Sequence, residues 1–304
     1  MKTKLLLLLF CFSVLGAMGQ GTISRNKCKT CGKAVSQCPY KGKHPKQEPA
    51  TKPKTTPKPK PKPTPAPRVS ASYQNQVLRV GNVSYRMIPV SGGTFTMGAT
   101  SEMTEAWDDE KPAHQVTLSS YYIGETEVTQ ALWKAVMGSN PSSFKGDDLP
   151  VETVSWDDCQ TFIRKLNGLT GRHFRLPTEA EWEFAARGGN QSRHTQYSGS
   201  SRINDVAWYK GNSGNRTHPV KTKQPSELGI YDMTGNAEEW CQDWFGSYKS
   251  YAQTDPTGAS SELSRVFRGG GWCRNPRNCR STYRAFGTPG YVYSTLGLRL
   301  VLSE

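Results

Sequence analysis

Past its first fifteen residues the 304-residue chain contains no apolar run long enough to cross a bilayer, which takes ~20 residues. The apolar stretch Leu5–Leu15 is itself too short to span. Lys2 and Lys4 precede it, and Ala17-Met18-Gly19 places small residues where a signal peptidase reads. Residues 1–19 are therefore expected to be a signal peptide cleaved after Gly19. The expected product is exported, periplasmic or extracellular, with no transmembrane segment.

The folded part also lacks an excess of one charge. Residues 1–68 hold fifteen Lys/Arg against the single acid Glu48, which accounts for the whole formal charge of +14. Residues 69–304 carry twenty-four of each sign. A nucleic-acid reader needs its basic stripe on the folded domain, so nucleic acid is not an expected partner. Histidine is scarce too, and beyond His44 the four remaining (His114, His173, His194, His218) show no pair or triad spacing. Of eight cysteines, Cys11 lies in the signal and seven remain. An odd number leaves at least one thiol unpaired, bridged between chains or bound to metal.

Three zones follow the signal. Residues 20–44 form a small basic head. Residues 45–76 are a linker dominated at first by Lys and Pro, with no aromatic side chain before Tyr73. Proline at that density favours an extended spacer of ~3.1 Å per residue. Residues 77–304 are long enough for one large core.

The head presents Cys28-x2-Cys31-x6-Cys38-x5-His44. Four such donors suit tetrahedral zinc, and the first pair forms a tight knuckle followed by Gly32. So short a segment has no apolar core, and the metal would supply its folding free energy. An oxidising compartment equally favours a disulfide among the three cysteines, leaving His44 a surface residue.

In the main domain, Val77–Val80 and Val83–Val90 flank Gly81-Asn82, a two-residue hairpin signal. Three helices carry punctuation. The first starts at Thr129 and stops at Gly138. The second opens on Ser155-x-x-Asp158, buries Cys159, Phe162, Ile163 and Leu166, and is expected to end at Gly168. The third opens on Thr178-x-x-Glu181 and ends at Gly188-Gly189. Beyond it the chain is rich in Gly, Asn, Trp and Tyr with little helical period. The reading is α+β with much irregular chain, which needs polar networks or bound ions as internal glue.

Several ordered motifs carry a resemblance: Gly92–Gly98, Asp109–Val116, Glu127-Val128-Thr129, Leu149–Trp156, Phe174–Glu183, Leu228–Trp240, Arg268–Trp272, Cys279-Arg280-Ser281 and Leu296–Arg299. Together they resemble the sulfatase-modifying-factor, or formylglycine-generating enzyme, family over about 87–302. The resemblance implies a C-type-lectin-like α+β fold with sparse regular structure. Formylglycine-generating members oxidise a sulfatase cysteine with two thiolates that hold copper(I), while other members use the fold without known chemistry, so fold alone does not assign a reaction.

In the oxidases the two cysteines are separated by four intervening residues, shortly after an Arg-Gly-Gly-Ser turn. Cys279 falls at the second position, but Arg274 stands at the first, with Cys273 one residue earlier. Gly271 replaces the serine of the turn, and Glu238 replaces a tryptophan. On an extended segment a one-residue slip turns a side chain to the other face. Cys273 and Cys279 are thus the candidate catalytic residues of a copper site; the other reading makes Cys279 a buried small side chain or a disulfide partner. The resemblance also implies calcium at Asp232, Gly235, Ala237 and Glu239, a hard-oxygen set. Against it stands a turn-capping Asp232 and a Glu239 paired with arginine. The expected function is a binding or structural module of the cell envelope with a protein or glycan partner. Its alternatives are a formylglycine-generating-type oxidase and a carbohydrate- or peptide-binding module in which the Trp and Tyr residues of 240–293 stack on ligand faces.

Overall fold

The computed structural model describes residues 75–303. The expected signal, the head with Cys28, Cys31, Cys38 and His44, and most of the 45–76 linker lie outside the described residues.

The hairpin forms where the turn chemistry places it. Strands β1 (Gln76–Val80) and β2 (Val83–Val90) pair antiparallel with Val80 opposite Val83, and Gly81 takes φ +56°. A left-handed residue at that corner suits glycine, whose missing Cβ removes the steric cost. The hairpin edges a five-stranded antiparallel sheet completed by β5 (Tyr121–Gly124), β12 (Val301–Ser303) and β6 (Phe174–Arg175), in the order β1-β2-β5-β12-β6. The last strand of the chain therefore sits between two strands made much earlier.

A second sheet runs β10 (Ala285–Gly287), β9 (Arg265–Arg268), β7 (Glu238–Trp244) and β11 (Leu296–Leu298), the last parallel to β7. A third joins β3 (Gly93–Met97), β4 (His114–Leu118) and β8 (Gln253–Thr254). In β4, His114, Val116 and Leu118 point inward while Gln115 and Thr117 face out, the period of two that a half-buried strand requires.

The helices begin where their caps are. Helix α1 (Gln130–Met137) opens on Thr129, whose hydroxyl accepts the Leu132 amide, and closes on Gly138 at φ +80°. Helix α2 (Trp156–Thr170) has a reciprocal capping box between Ser155 and Asp158. It runs through Gly168 to Thr170, and its closing glycine is Gly171, three residues past the expected one. Gly171 takes the left-handed closing conformation at φ +66°, and the Thr170 hydroxyl donates to the Leu166 carbonyl in the last turn. An internal glycine costs only about 1 kcal/mol, too little to stop a helix whose apolar face is already packed. Helix α3 (Glu179–Ala186) also has a capping box, from Thr178 to Glu181, and all eight of its residues are buried, three of them glutamates. A fourth, single-turn helix, α4, spans Ile203–Val206.

Two apolar clusters form the core. One gathers α1, α2 and the first sheet around Leu132, Phe162, Leu166 and Trp240. The other gathers α3, β4 and β5 around Trp182, Phe184, Val116 and Ile123. Charged groups run through the interior beside them. Arg268 is fully buried between Glu179 and Glu183, and Arg284 also binds Glu179. Arg280 meets Glu110 at 2.5 Å, and Arg299 meets Glu239 at 2.6 Å. A buried charge is tolerated only when paired and hydrogen-bonded, and these guanidiniums meet that condition. Polar networks thus supply the glue that the irregular chain demands. The architecture is mixed α/β with short elements.

Candidate functional site

Two of the three glycines before Trp272 shape the thiol region. Gly269 and Gly270 take φ +95° and +68°, and a Cβ on Gly270 would lie 2.7 Å from the Cys279 sulfur. The chain turns there, passes Cys273 and Arg274, and enters a short 3-10 turn, Pro276–Cys279. Cys279 is fully buried and packs with Tyr197 and Val206; Cys273 is half-buried. Neither is in a disulfide, and Cys159 and Cys241 are free and buried as well. Burial pushes the Cys279 thiol far up, with the Glu238 carboxylate adding to the shift and Arg274 opposing it. Burial likewise raises the Cys273 thiol, against the pull of Arg274.

Arg274 turns to Glu238. Its Nε and Nη2 donate to Glu238 Oε1 and Oε2 at 2.9 and 3.0 Å, and the Thr295 hydroxyl donates to Oε2 at 2.7 Å. The guanidinium that stands at the first expected thiolate position is therefore bound to the carboxylate that stands at the expected tryptophan position. Copper(I) wants two soft thiolates, and the first of the two expected positions holds a guanidinium tied to a carboxylate instead.

A hollow of about 520 Å³ opens beside Arg274, lined by Trp107, Tyr283, Phe286 and Tyr291 among others. Trp107, Phe286, Tyr291 and Tyr293 are exposed, and the Arg277 guanidinium lies 3.5 Å over the Trp107 ring. Trp240, in contrast, is core.

The segment expected to hold calcium is bent by three left-handed residues, Asp232, Gly235 and Asn236. Asn236 fixes the loop: its side chain accepts the His218 amide at 2.9 Å and donates to the His218 carbonyl at 3.2 Å. Gly235 packs directly against the Trp208 backbone, where a side chain has no room. Asp232 is buried, with Oδ2 accepting the Lys221 amide at 2.8 Å and Oδ1 without a partner. Burial pushes its carboxyl up to about 6, against the pull of the Lys221 amide and Arg299. Glu239 is differently placed. Its carboxylate takes the Arg299 guanidinium and, at 2.6 Å, the Trp182 indole N–H.

Sequence reasoning did not single out Glu127 as a site residue. It is fully buried just before the Thr129 cap, and neither carboxylate oxygen has a partner. Burial and the neighbouring Asp232 charge push its carboxyl well up. Two orphaned acidic side chains at one place fit a hard cation. Among the described residues no cluster of three free His, Cys, Asp or Glu side chains is arranged for a metal, so backbone oxygens such as those of Gly235 and Ala237 would complete the shell. The signal was the position itself, an acid immediately followed by the buried Val128 and a helix cap.

Residues 78–304 match the family described as sulfatase-modifying factor enzyme 1-like domain. The chain is 34% identical over 274 residues to the chaperone protein LppX of Paenibacillus barcinonensis, covering 73% of this chain and 91% of that protein. It is 28% identical over 282 residues to the formylglycine-generating enzyme of Streptomyces coelicolor, covering 70% and 87%. Among solved structures, Treponema denticola variable protein 1 superposes with a TM-score of 0.70 at 32% identity, covering 77% of this chain and all of the other.

Proposed function

Because the chain belongs to the sulfatase-modifying factor enzyme 1-like domain family, we propose that it acts as a non-catalytic binding or structural module of the cell envelope. The family includes both a protein named as a chaperone and enzymes named for formylglycine generation, so membership leaves the reaction open. The observation that carries the reading is the Arg274–Glu238 ion pair, which fills the place where an oxidase needs its first thiolate. In this reading the signal exports the chain, the linker holds the head apart, and the C-type-lectin-like domain presents its surface to a partner. Zinc in the head, at Cys28, Cys31, Cys38 and His44, stays part of the proposal, as does calcium at Asp232 and Glu239 with the carbonyls of Gly235 and Ala237. What supports calcium is the orphaned, buried Asp232 Oδ1. The ion would supply no chemistry beyond neutralising carboxylates and fixing the loop.

The oxidase alternative is tested by incubating the protein with copper and a sulfatase-type cysteine peptide, then weighing the peptide. No mass change at the cysteine is expected. Conversion that disappears in Cys279→Ser would overturn the non-catalytic reading.

A second reading is favoured by the aromatic hollow beside Arg274. Exposed rings at Trp107, Phe286 and Tyr291 offer flat faces for sugar rings or peptide side chains, with Arg274 and Asp108 at hand for polar groups. Quenching of Trp107 fluorescence by a glycan or peptide, lost in Trp107→Ala, would establish it.

A further inference from the structure

A second cavity, of about 300 Å³, opens where the ends of β3 and β7 meet the starts of β4 and α3, and it shares only Arg284 with the aromatic hollow. Small-molecule sites occupy roughly 300–1,000 Å³, so there is room for a compact ligand. The chain from Gly246 to Glu262 supplies the remaining wall. That strap is pinned in place. Its strand β8 pairs with Val116 and Thr117 of β4, and Asp255 accepts the Ser119 amide and hydroxyl at 2.7 and 2.8 Å. Gly258, at φ +79°, lies against Asp243, where a Cβ would come within 2.7 Å of the aspartate Cβ.

The inner wall offers acceptors that nothing uses. Asp243 is 3% exposed; its Oδ2 accepts the Glu179 amide at 3.0 Å, while Oδ1 has no partner among the described residues. His114 is 5% exposed, and its Nδ1 bonds the Pro112 carbonyl at 3.0 Å. A carbonyl only accepts, so Nδ1 carries the proton and Nε2 presents a lone pair, again without a partner among the described residues. The buried guanidiniums nearby are committed elsewhere. Arg268 and Arg284 both donate to Glu179, and Arg284 also binds the Asp109 and Gly246 carbonyls. Arg265 stacks on Trp156 and Trp244 and donates to the Gln242 carbonyl. On the strap, Lys249 and Glu262 are exposed and of opposite sign.

Burial, then the Glu179 and Glu181 charges, push the Asp243 carboxyl up to about 8, against the pull of the Glu179 amide and Arg284. A buried carboxylate without a counter-charge is costly, and a cation delivered into the cavity removes that cost. An alkylammonium fits the unused acceptors, since it has three N–H donors and nothing that accepts.

We propose that the cavity between β7, α3 and the 246–262 strap binds a small primary ammonium, with Asp243 as its counter-ion and His114 Nε2 as a second acceptor. The site is independent of the copper, zinc and calcium readings.

The test titrates the full-length mature chain with n-butylamine by calorimetry, with 1-butanol as the uncharged analogue. Butylammonium is expected to bind one site, at least tenfold more tightly than butanol. An alkylammonium stays charged up to about pH 10, so its affinity should rise severalfold from pH 7 to pH 8.5 as Asp243 gives up its proton. Binding at pH 7 should release close to one proton, read from buffers of different ionisation enthalpy. Asp243→Asn should weaken the amine at least tenfold and flatten the pH response. His114→Asn, whose amide nitrogen can still donate to Pro112, should weaken it severalfold yet keep the rise with pH. Equal binding of Nα-acetyl-lysine methylamide would assign a lysyl side chain as the natural ligand, and its exclusion a free amine. No binding of butylamine, equal binding of butanol, or an unchanged affinity and pH response in Asp243→Asn would overturn the assignment.

Discussion

Arg274 and Glu238 form a two-pronged ion pair at 2.9 and 3.0 Å, and each occupies a position where the resemblance to formylglycine-generating enzymes calls for a different residue. Two departures that answer each other chemically are better explained as one polar contact than as two independent losses. Glu238 is nearly fully buried, whereas Arg274 keeps about a third of its side chain in contact with solvent.

Arg274→Ala should therefore destabilise the domain by roughly 2 kcal/mol, because it leaves a buried carboxylate with only the Thr295 hydroxyl. Arg274→Met combined with Glu238→Gln should recover most of that loss. A double-mutant cycle measured by urea unfolding reads the coupling, and strictly additive effects would contradict it.

Asp243 gives the fold a dependence on pH. Burial, reinforced by the Glu179 charge, pushes its carboxyl up to about 8. The folded state thus keeps a proton that the unfolded chain releases above ~4. The stabilisation from this group is full below that point and declines as pH rises toward 8, by up to about 1.4 kcal/mol per unit. Asp243→Asn, whose side-chain oxygen can still accept the Glu179 amide, should flatten that part of the stability curve. Thermal melts at pH 6 and pH 9 show the difference; equal slopes in both proteins would refute it.

Gly235 combines φ +78° with direct backbone contact to Trp208. Gly235→Ala should cost about 2–4 kcal/mol through backbone strain and displacement of that neighbour. Gly214, at φ +62° with open space around it, should lose only about 1 kcal/mol on the same change. Chemical denaturation of both variants checks the contrast.

Thiol accessibility separates the cysteines of the domain. Cys159, Cys241 and Cys279 are buried with thiols pushed up by desolvation, and Cys273 is half-buried. Native alkylation followed by peptide mapping should label Cys273 first and the other three only on unfolding. Early labelling of Cys279 would mean an open, activated thiol and would favour the oxidase.

Local signals were readable in the sequence wherever a few adjacent residues determine the outcome. Gly81-Asn82 set the hairpin, and Thr129, Ser155 and Thr178 set three helix starts. The end of α2 was misplaced because Gly168 and Gly171 both qualify as stops, and the packing that favours the later one is non-local. The ordered motifs named the fold. The buried arginines did not announce themselves, since Arg268, Arg280 and Arg299 find their carboxylates 60 to 170 residues away. Glu127 was hidden for the same reason: its companion, Asp232, comes to it only through the Tyr231–Glu125 and Arg299 contacts.

The strand order of the largest sheet has a consequence for how the protein comes into being. β12, at Val301–Ser303, fills the gap between β5 and β6, strands that lie far earlier in the sequence. Until those residues have been made, β5 keeps one open edge beside β2 and β6 has no partner in the sheet, and contacts of such long separation form slowly. A nascent chain halted before Val301 would hold the hairpin and its helices but could not join β6 to the rest of the sheet. Closure of this sheet thus waits on three residues, Val301–Ser303.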